Sequence, residues 1–299
     1  MSLPIYFILG PTGSGKSAVA VELARAIGAE IVSADAYQVY RELPILTASP
    51  TQAEREGVPH HMLEFLSVSE PWDAAEHYHR AMGCVRDIQA RQKPVIITGG
   101  SGLYVKFLSH GMSEAPPGDE TLRASFQNRT LEDLYAELEQ IDPEGAAMTA
   151  QENRRYVERN LEIVKAGGKP LSYWKQNWQH EPLGKGWYIS RDVPELDARI
   201  ALRAKLMFEQ GVKDEVAALG DIAQTCSETA ARTLGLSIIS DHLRGDLSEA
   251  DAIQLLALRT RQYAKRQRTW LKREQWLHEL SANADSTSFD LANTVLSAL

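Results

Sequence analysis

The segment Gly10-Pro11-Thr12-Gly13-Ser14-Gly15-Lys16-Ser17 follows an apolar run over 5–9 and opens a helical pattern over 18–27. It matches the phosphate-binding pattern G-x-x-x-x-G-K-[ST] at every defined position. Its glycines allow backbone N–H groups to turn towards an anion, and the positive end of the helix dipole strengthens that field. Lys16 can then reach the terminal phosphate, and the Ser17 hydroxyl is placed to hold Mg²⁺. The alternative is a glycine-rich turn without a ligand, and the motif does not say which phosphate ester binds.

Two further apolar runs predict buried strands of the same sheet. Residues 30–35 end in Asp35, and residues 94–98 are followed by Gly99-Gly100-Ser101-Gly102. Strands that alternate with helical stretches predict an α/β fold with a doubly wound parallel sheet, whose ligands bind beyond the carboxyl ends of the strands. We therefore expect Asp35 and Ser101 to converge on the phosphate loop.

The pattern changes at Ala115-Pro116-Pro117-Gly118, after which helical patterns run to about Trp178 without a strand. We therefore expect a P-loop core of residues 1–114 and 179–299 and an all-helical insertion of residues 115–178. Within the insertion the clearest helices cover 131–141 and 153–166. After it, the pattern predicts a returning strand over 187–190 and helices over 196–210, 248–274 and 286–299.

Composition limits the class of protein. The 299 residues are 43% apolar, which is enough for a full α/β core with one insertion. Thirty-two basic and 40 acidic side chains give a net charge of -8, so a nucleic-acid partner would need a local basic patch. The first apolar run is too short for a signal peptide, and no window reaches the length of a membrane span. We expect a cytoplasmic protein that does not interact with membranes.

The cysteines and paired histidines carry no metal signature. Cys84 and Cys226 are far apart in sequence and are expected to be buried thiols in a reducing compartment. His60 and His61 have no carboxylate or cysteine at ligand spacing, so we interpret both as structural.

Three sets of polar residues near the predicted strand ends have alternative interpretations. Asp35 can bind an acceptor hydroxyl in a small-molecule kinase, act as general base towards an amine, or merely stabilise a turn. The glycine-rich segment at Ser101 offers N–H groups and a hydroxyl, or is a tight turn that allows helix packing. Arg199 and Arg203 share one helix face, for which a solvated surface is the more frequent explanation.

The most basic segment covers residues 259–273. Arg261, Lys265, Arg268 and Lys272 recur at helical spacing and predict one positive stripe, with Tyr263 and Trp270 beside it for stacking on bases. Arg155 and Arg159 repeat the i, i+4 spacing in the predicted insertion. A salt-bridged surface is the alternative for both groups.

Five blocks together resemble the bacterial tRNA isopentenyltransferase (tRNA dimethylallyltransferase) family. They fall in that family's order and spacing over nearly the whole chain, and the last two are highly specific. The blocks are residues 10–17, residues 33–40 (SADAYQVY), residues 57–61 (GVPHH), residues 99–104 (GGSGLY) and residues 261–267 (RQYAKRQ).

The resemblance implies a reaction and a set of functional residues. A dimethylallyl group moves from dimethylallyl diphosphate to N6 of the adenosine 3′ to the anticodon of tRNA, with Mg²⁺ as the cofactor. Asp35 is then the general base, and Lys16, Ser17, Ser101 and Arg203 surround the diphosphate. Contacts with the tRNA anticodon stem-loop are implied for residues 35–38, for Arg123 and for residues 155–159 and 232–237, and the basic stripe adds to them. The tRNA-binding set is Asp35, Ala36, Tyr37, Gln38, Ser101, Arg123, Arg155, Arg159, Arg232, Arg261, Lys265 and Arg268.

The chain departs from the family pattern mainly on the tRNA side. Ala36 stands where serine is usual, and Ser101 replaces threonine with its hydroxyl kept. Residues 44–50 (PILTASP) stand where DIGTAKP is usual, and the segment Gly235-Leu236-Ser237 lacks the usual tyrosine and basic residue.

Three other functions share parts of this signature. A P-loop kinase that uses ATP has the same loop and an aspartate like Asp35, but no use for the basic stripe or the insertion. An adenylate prenyltransferase shares the chemistry but has a small acceptor. A nucleotide-binding module without turnover does not need Asp35, Ser101 and Arg203. The prenyltransferase with a tRNA substrate uses all of these features, and we expect it to act as a monomer.

Overall fold

The structure is a computed structural model that describes residues 4–176 and 181–299. Within these residues there are six strands: β1 (Ile5–Leu9), β2 (Glu30–Ala34), β3 (His60–His61), β4 (Val95–Gly99), β5 (Lys185–Arg191) and β6 (Leu277–Ala282). The same residues form sixteen helices: α1 (Lys16–Ile27), α2 (Gln52–Arg55), α3 (Ala74–Ala90), α4 (Gly102–His110), α5 (Glu120–Phe126), α6 (Leu131–Ile141), α7 (Pro143–Ala147), α8 (Arg154–Gly167), α9 (Leu171–Gln176), α10 (Val193–Glu209), α11 (Val212–Ala217), α12 (Ile222–Thr225), α13 (Glu228–Ala231), α14 (Leu236–Leu243), α15 (Glu249–Leu271) and α16 (Ser288–Leu296).

The strands form one parallel sheet in the order β3-β2-β4-β1-β5-β6. Gly99 at the end of β4 pairs with Leu9 on one side and Ala34 on the other. The carboxyl ends of β1, β2 and β4 therefore lie at one level, which places the segments that follow them side by side. The predicted α/β fold with a doubly wound parallel sheet is confirmed.

Both faces of the sheet are buried, because helices cover both sides of a parallel sheet. Successive side chains of each strand point to opposite faces and therefore enter different cores. Phe7, Val32 and Ile97 contribute to one hydrophobic core, which also contains residues of α10 and α15. Their neighbours Ile8, Ile31 and Ile96 contribute to a second core with α1 and α16.

Every element for which the sequence predicts bounds is found within a few residues of those bounds. Several elements have no such prediction, among them the edge strands β3 and β6 and the 17-residue helix α3. The edge strand β6 exposes His278 and Glu279 and buries Leu277 and Leu280, so it lacks the apolar run of an inner strand.

The chain divides into two compact units, one of residues 1–109 with 182–299 and one of residues 110–181. The described part of the second unit is helical and has its own core around Phe126, Leu134, Leu138 and Leu161. The predicted end of the insertion at Trp178 lies outside the described residues. No helix among the described residues is long and apolar enough to cross a membrane.

Cys84 and Cys226 are free thiols but only half-buried, so the expectation of buried thiols was wrong. His60 and His61 form β3 and bond within the fold: His60 Nδ1 lies 2.8 Å from the Val58 carbonyl oxygen and His61 Nε2 lies 2.8 Å from Glu30 Oε2.

Glu30 begins β2 with a side chain that is only 1% exposed and carries three partners. Arg91 Nη2 donates to Oε2 at 2.7 Å, His61 Nε2 lies at 2.8 Å and Lys93 Nζ donates to Oε1 at 3.0 Å. The hydrogen bonds from Arg91, together with those from His61 and Lys93, outweigh burial and lower the pKa of Glu30 to about 2. This network stabilises the amino end of the sheet, away from the phosphate loop.

We expect Glu30→Gln to lower the free energy of unfolding at pH 7 by about 1–3 kcal/mol, because the pKa shift is large but two of the partners are half-exposed. A folded pKa of about 2, below the ordinary 4.5, means that the carboxylate stabilises the fold above pH 4.5. This contribution declines as the pH falls towards 2. Urea unfolding of both proteins at several pH values should show the gap narrowing below pH 4.5, and a gap that stays constant would contradict this assignment.

Candidate active site

The phosphate loop joins β1 to α1 at the carboxyl edge of the sheet. Gly13 and Gly15 have φ angles of +83° and +92°, which side chains with a Cβ atom rarely adopt. A Cβ on Gly10 would clash with Ser14 Oγ, so the first glycine is needed for close packing within the loop. The first N–H groups of α1 have no acceptor inside the helix and are available to an anion.

Three side chains from distant parts of the chain hold the outside of this loop. Arg199 Nε donates to the Gly13 carbonyl and Arg191 Nε donates to the Ser14 carbonyl, both at 2.8 Å. The N–H of Thr12 donates to Gln267 Oε1, also at 2.8 Å. Arg199 is exposed, as the solvated-face interpretation expected, but its guanidinium also bonds to the loop.

A cavity of about 380 Å³ lies beside the loop, within the usual size range of ligand sites. Charged and polar groups line part of it, and apolar side chains line another part. The polar set includes Thr12, Gly13, Gly15, Lys16, Ser17, Asp35, Arg199 and Arg203. The apolar set includes Leu46, Ile200, Met207, Leu234 and Leu256. Gly10, Pro11 and Ser14 of the loop are buried and are not among the described lining residues.

Lys16 and Arg203 bring two cations into this cavity. Burial lowers the pKa of Lys16 to about 8; Asp35 opposes this shift, and Arg203 adds to it. Burial and the neighbouring Arg199 also lower the pKa of Arg203. Both groups have lost hydration, which makes them strong partners for an anion that enters the cavity.

Asp35 follows β2 and faces the same cavity. Its Oδ1 accepts the N–H of Tyr37 at 2.9 Å and that of Gln38 at 3.4 Å. Its Oδ2 makes no hydrogen bond within residues 4–176 and 181–299. The carboxylate thus stabilises a turn with one oxygen, as one interpretation of the sequence expected, and leaves the other oxygen available for proton transfer.

Ser101 lies behind the cavity rather than on its surface. It is 7% exposed, its Oγ accepts the N–H of Ala36 at 3.3 Å, and the same oxygen lies 3.3 Å from the Tyr263 hydroxyl. The expected convergence of Asp35 and Ser101 is found, but Ser101 acts on the backbone beside Asp35. Direct contact between Ser101 and a diphosphate is not supported by this geometry.

The two aromatic residues of α15, Tyr263 and Trp270, have different surroundings. The Tyr263 ring lines the cavity, and burial raises the pKa of its hydroxyl. Trp270 packs at the start of α4, where a Cβ on Gly102 would lie 3.1 Å from the indole. The expectation that both rings lie beside the stripe for stacking was therefore wrong for Trp270. Tyr263 does lie beside a cation of the basic segment, since the Arg266 guanidinium is 5.6 Å from the centroid of its ring.

The predicted stripe itself lies on α15 and its C-terminal cap. Lys265 and Lys272 are exposed, and Arg261 and Arg268 are half-buried. Within the described part of the chain no acidic side chain forms a salt bridge with Arg261, Lys265 or Arg268, so their positive charge is not locally neutralised.

The other predicted tRNA-binding arginines lie mostly in ion pairs. Arg159 Nη1 donates to Glu162 Oε2 at 2.5 Å, and Arg123 Nε lies 3.0 Å from Glu162 Oε1. Arg232 pairs with Glu228, and Arg155 is exposed. Arg155 and Arg159 therefore do not form one free cationic face, because Glu162, which is 1% exposed, holds Arg159.

Sequence reasoning missed Arg191 and Gln267, which hold the loop. It named Tyr263 and the segment 232–237 as RNA contacts, but it did not predict that Tyr263 and Thr233 line the cavity. The Thr233 hydroxyl is buried and has no hydrogen-bond partner among the described residues. The spacing of Gln267 carried a signal, since it lies three residues after Ala264 and four before Leu271, both of which are buried.

Comparisons with known proteins identify the family to which this chain is similar. The profile of the IPP transferase family matches residues 38–274. The tRNA dimethylallyltransferase of Akkermansia muciniphila is 63% identical over 293 residues, which cover 98% of each chain. The crystal structure of a eukaryotic dimethylallyltransferase acting on tRNA superposes with a TM-score of 0.85 at 25% identity, covering 100% of this chain and 78% of that one. A tRNA isopentenylpyrophosphate transferase from Bacillus halodurans has a TM-score of 0.71 at 28% identity, covering 98% and 96% of the two chains.

The family profile spans more than half of the chain. The relative from Akkermansia muciniphila matches the chain over nearly its full length. The matched range of residues 38–274 includes Arg203, Tyr263 and Gln267. The chain therefore belongs to the IPP transferase family.

Proposed function

We propose that this protein transfers the dimethylallyl group of dimethylallyl diphosphate to N6 of the adenosine 3′ to the anticodon of tRNA and releases diphosphate. The observation that carries the proposal is the single cavity in which the phosphate loop, Asp35 and Arg203 lie together with an apolar wall. The loop suits a diphosphate, the apolar wall suits a five-carbon allyl chain, and a carboxylate faces both. The names of the relatives support tRNA as the acceptor.

The phosphate loop acts here on a leaving group. When the bond between C1 of the allyl chain and the diphosphate oxygen breaks, negative charge grows on the diphosphate. Lys16, Arg203 and the N–H groups at the start of α1 are already in place and poorly hydrated, so they stabilise that charge without reorganising. ATP hydrolysis is not part of this reaction.

Asp35 serves as the general base. The N6 nitrogen forms a bond to C1, the C1–O electrons leave with the diphosphate, and the N6 proton moves to Asp35. The hydrogen bonds from Tyr37 and Gln38 hold Oδ1. Oδ2 is therefore oriented for the transfer, and Ser101 supports the adjoining backbone through the Ala36 N–H.

Mg²⁺ is the cofactor that fits this donor set. The described residues contain no cluster of three or more His, Cys, Asp or Glu side chains. Mg²⁺ commonly uses one or two protein ligands with waters and substrate phosphates, so the Ser17 hydroxyl beside the loop fits the requirement. Bound there with the diphosphate, the ion supplies charge neutralisation for the leaving group.

The tRNA substrate would bind through the stripe of Arg261, Lys265 and Arg268, with further contacts from Tyr37 and Gln38 at the cavity. We also propose tRNA contacts from Arg123, Arg155, Arg159 and Arg232. Those that lie in ion pairs would exchange their carboxylate partners for tRNA phosphates. An adenine amine is hidden in the base stack, so the base must leave the stack to reach Asp35. We place this reaction in the cytoplasm and propose that a monomer performs it.

We expect Asp35→Asn to separate binding from chemistry. Asparagine keeps the size and the oxygen that accepts from Tyr37 but does not take a proton, so single-turnover prenylation of an anticodon stem-loop should slow by roughly 10²–10⁴-fold. The affinities for both substrates should change little. Asp221→Asn is a matched control, because Asp221 also accepts the N–H two residues on but lies on the surface. An unchanged single-turnover rate would refute the base assignment, and phosphate transfer from ATP to a small acceptor would favour the kinase.

Lys16 should make the use of dimethylallyl diphosphate dependent on pH. Its pKa of about 8 means that the ammonium is lost as the pH rises through 8, so kcat/KM should fall about tenfold per unit above that value. Lys16→Ala should reduce kcat/KM at pH 7 by at least about a hundredfold and remove this limb of the profile. Lys213→Ala, which removes an exposed lysine paired with Glu249, should behave as wild type. Saturable, normal turnover by Lys16→Ala would overturn the role of the loop.

The basic stripe should determine the salt dependence of tRNA binding. The double variant Arg261→Ala/Lys265→Ala removes about two phosphate contacts, so the slope of log affinity against log salt should flatten by about one to two units. Lys205→Ala/Lys213→Ala, which removes two exposed lysines that lie in ion pairs, serves as the charge-matched control. Equal slopes for the two double variants would show that the stripe faces solvent in the complex.

A further inference from the structure

The side-chain amide of Gln267 joins two loops of the active site. It projects from α15 and is 5% exposed. Oε1 accepts the N–H of Thr12 in the phosphate loop at 2.8 Å, and Nε2 donates to the carbonyl of Gly100, after β4, at 3.0 Å. Both functions of the amide are therefore used at once, which fixes its orientation.

The backbone around the Gln267 amide is so closely packed that no side chain fits at Gly100. A Cβ on Gly100 would lie 2.5 Å from Gln267 Nε2 and 2.6 Å from the Gly10 carbonyl oxygen. The N–H of Gly10 in turn donates to the Gly99 carbonyl at 3.2 Å. The phosphate loop, the segment after β4 and α15 thus meet at one closely packed point, with the Gln267 amide in the middle.

The same helix presents the basic stripe. Arg268 follows Gln267 directly, and Lys265 and Arg261 lie within two turns. A ligand that fixes the position of α15 through these cations therefore also fixes the amide that holds Thr12.

We infer that Gln267 is a positioning residue that couples RNA binding on the α15 stripe to diphosphate binding in the phosphate loop. This inference rests on the proposed function, because it assumes that both substrates occupy the surfaces assigned above. Without the amide, the Thr12 N–H and the Gly100 carbonyl lose their buried partner, and the loop populates conformations that do not bind the anion. Coupling of this kind is reciprocal: each ligand tightens the other by the same factor.

The test measures binding rather than turnover. Inorganic diphosphate with Mg²⁺ is titrated into the full chain by calorimetry, with and without a saturating synthetic anticodon stem-loop. In the wild type we expect the stem-loop to tighten diphosphate binding by about five- to tenfold. In Gln267→Met, of similar length but without the amide, diphosphate binding alone should weaken about tenfold and the coupling factor should fall to about one. Binding of the stem-loop alone should change by less than about twofold.

Gln254→Met is the matched control, because Gln254 lies on the same helix but is exposed. Gln267→Glu is the second variant and carries the test if Gln267→Met does not fold: it keeps an acceptor for Thr12 but loses the donor to Gly100, so coupling should again be lost. Thermal unfolding of each variant shows whether the loss exceeds a general loss of stability. Wild-type diphosphate affinity and coupling in a folded Gln267 variant would overturn the inference. A wild type that binds diphosphate but transfers no prenyl group would instead refute the proposed function.

Discussion

The parallel register of β1, β2 and β4 is the constraint on which the site depends. Gly99 pairs with both Leu9 and Ala34, so the phosphate loop, Asp35 and the segment around Ser101 all begin at one level. A slip of one residue would exchange the two buried faces, moving Phe7 and Val32 into the core of Ile8 and Ile31. Because both faces are apolar and packed by different helices, the register is strongly determined, and the geometry of the cavity follows from it.

Local signals explain which parts of the fold were predictable. The phosphate loop and the three apolar strands have short-range patterns that report burial on both faces. Helices α1 and α8 likewise end at a local signal, since their C-cap residues Gly28 and Gly168 have φ angles of +69° and +61°. The two-residue β3 and the polar β6 are edge strands whose pairing depends on partners distant in sequence, so no local pattern marks them. The pairing of β6 with β5 is visible only in the folded chain.

Only part of the site was predictable, because local sequence signals mark some of its residues and long-range packing places the others. Lys16, Ser17, Asp35 and Arg203 meet at one cavity as expected. On α15, however, the spacing of the charges predicts only the basic face of the helix. The positions of Tyr263, Gln267 and Trp270 depend on how the helix packs against the loops, which the spacing does not show. The arginines that hold the Gly13 and Ser14 carbonyls are likewise long-range contacts, and sequence spacing says nothing about them.

The ends of the sheet have a consequence for behaviour at high concentration. An exposed strand edge is a template on which another chain can add, and long, flat, apolar edges are the most dangerous. Here one edge, β3, is only two residues long, and the other, β6, exposes His278 and Glu279. The apolar strands with the greatest tendency to form intermolecular sheets lie between these edges. Edge-to-edge aggregation of the folded protein is thereby disfavoured. Intermolecular strand pairing is then expected mainly from partly folded states in which β1, β2 or β4 has not yet paired with its neighbouring strands.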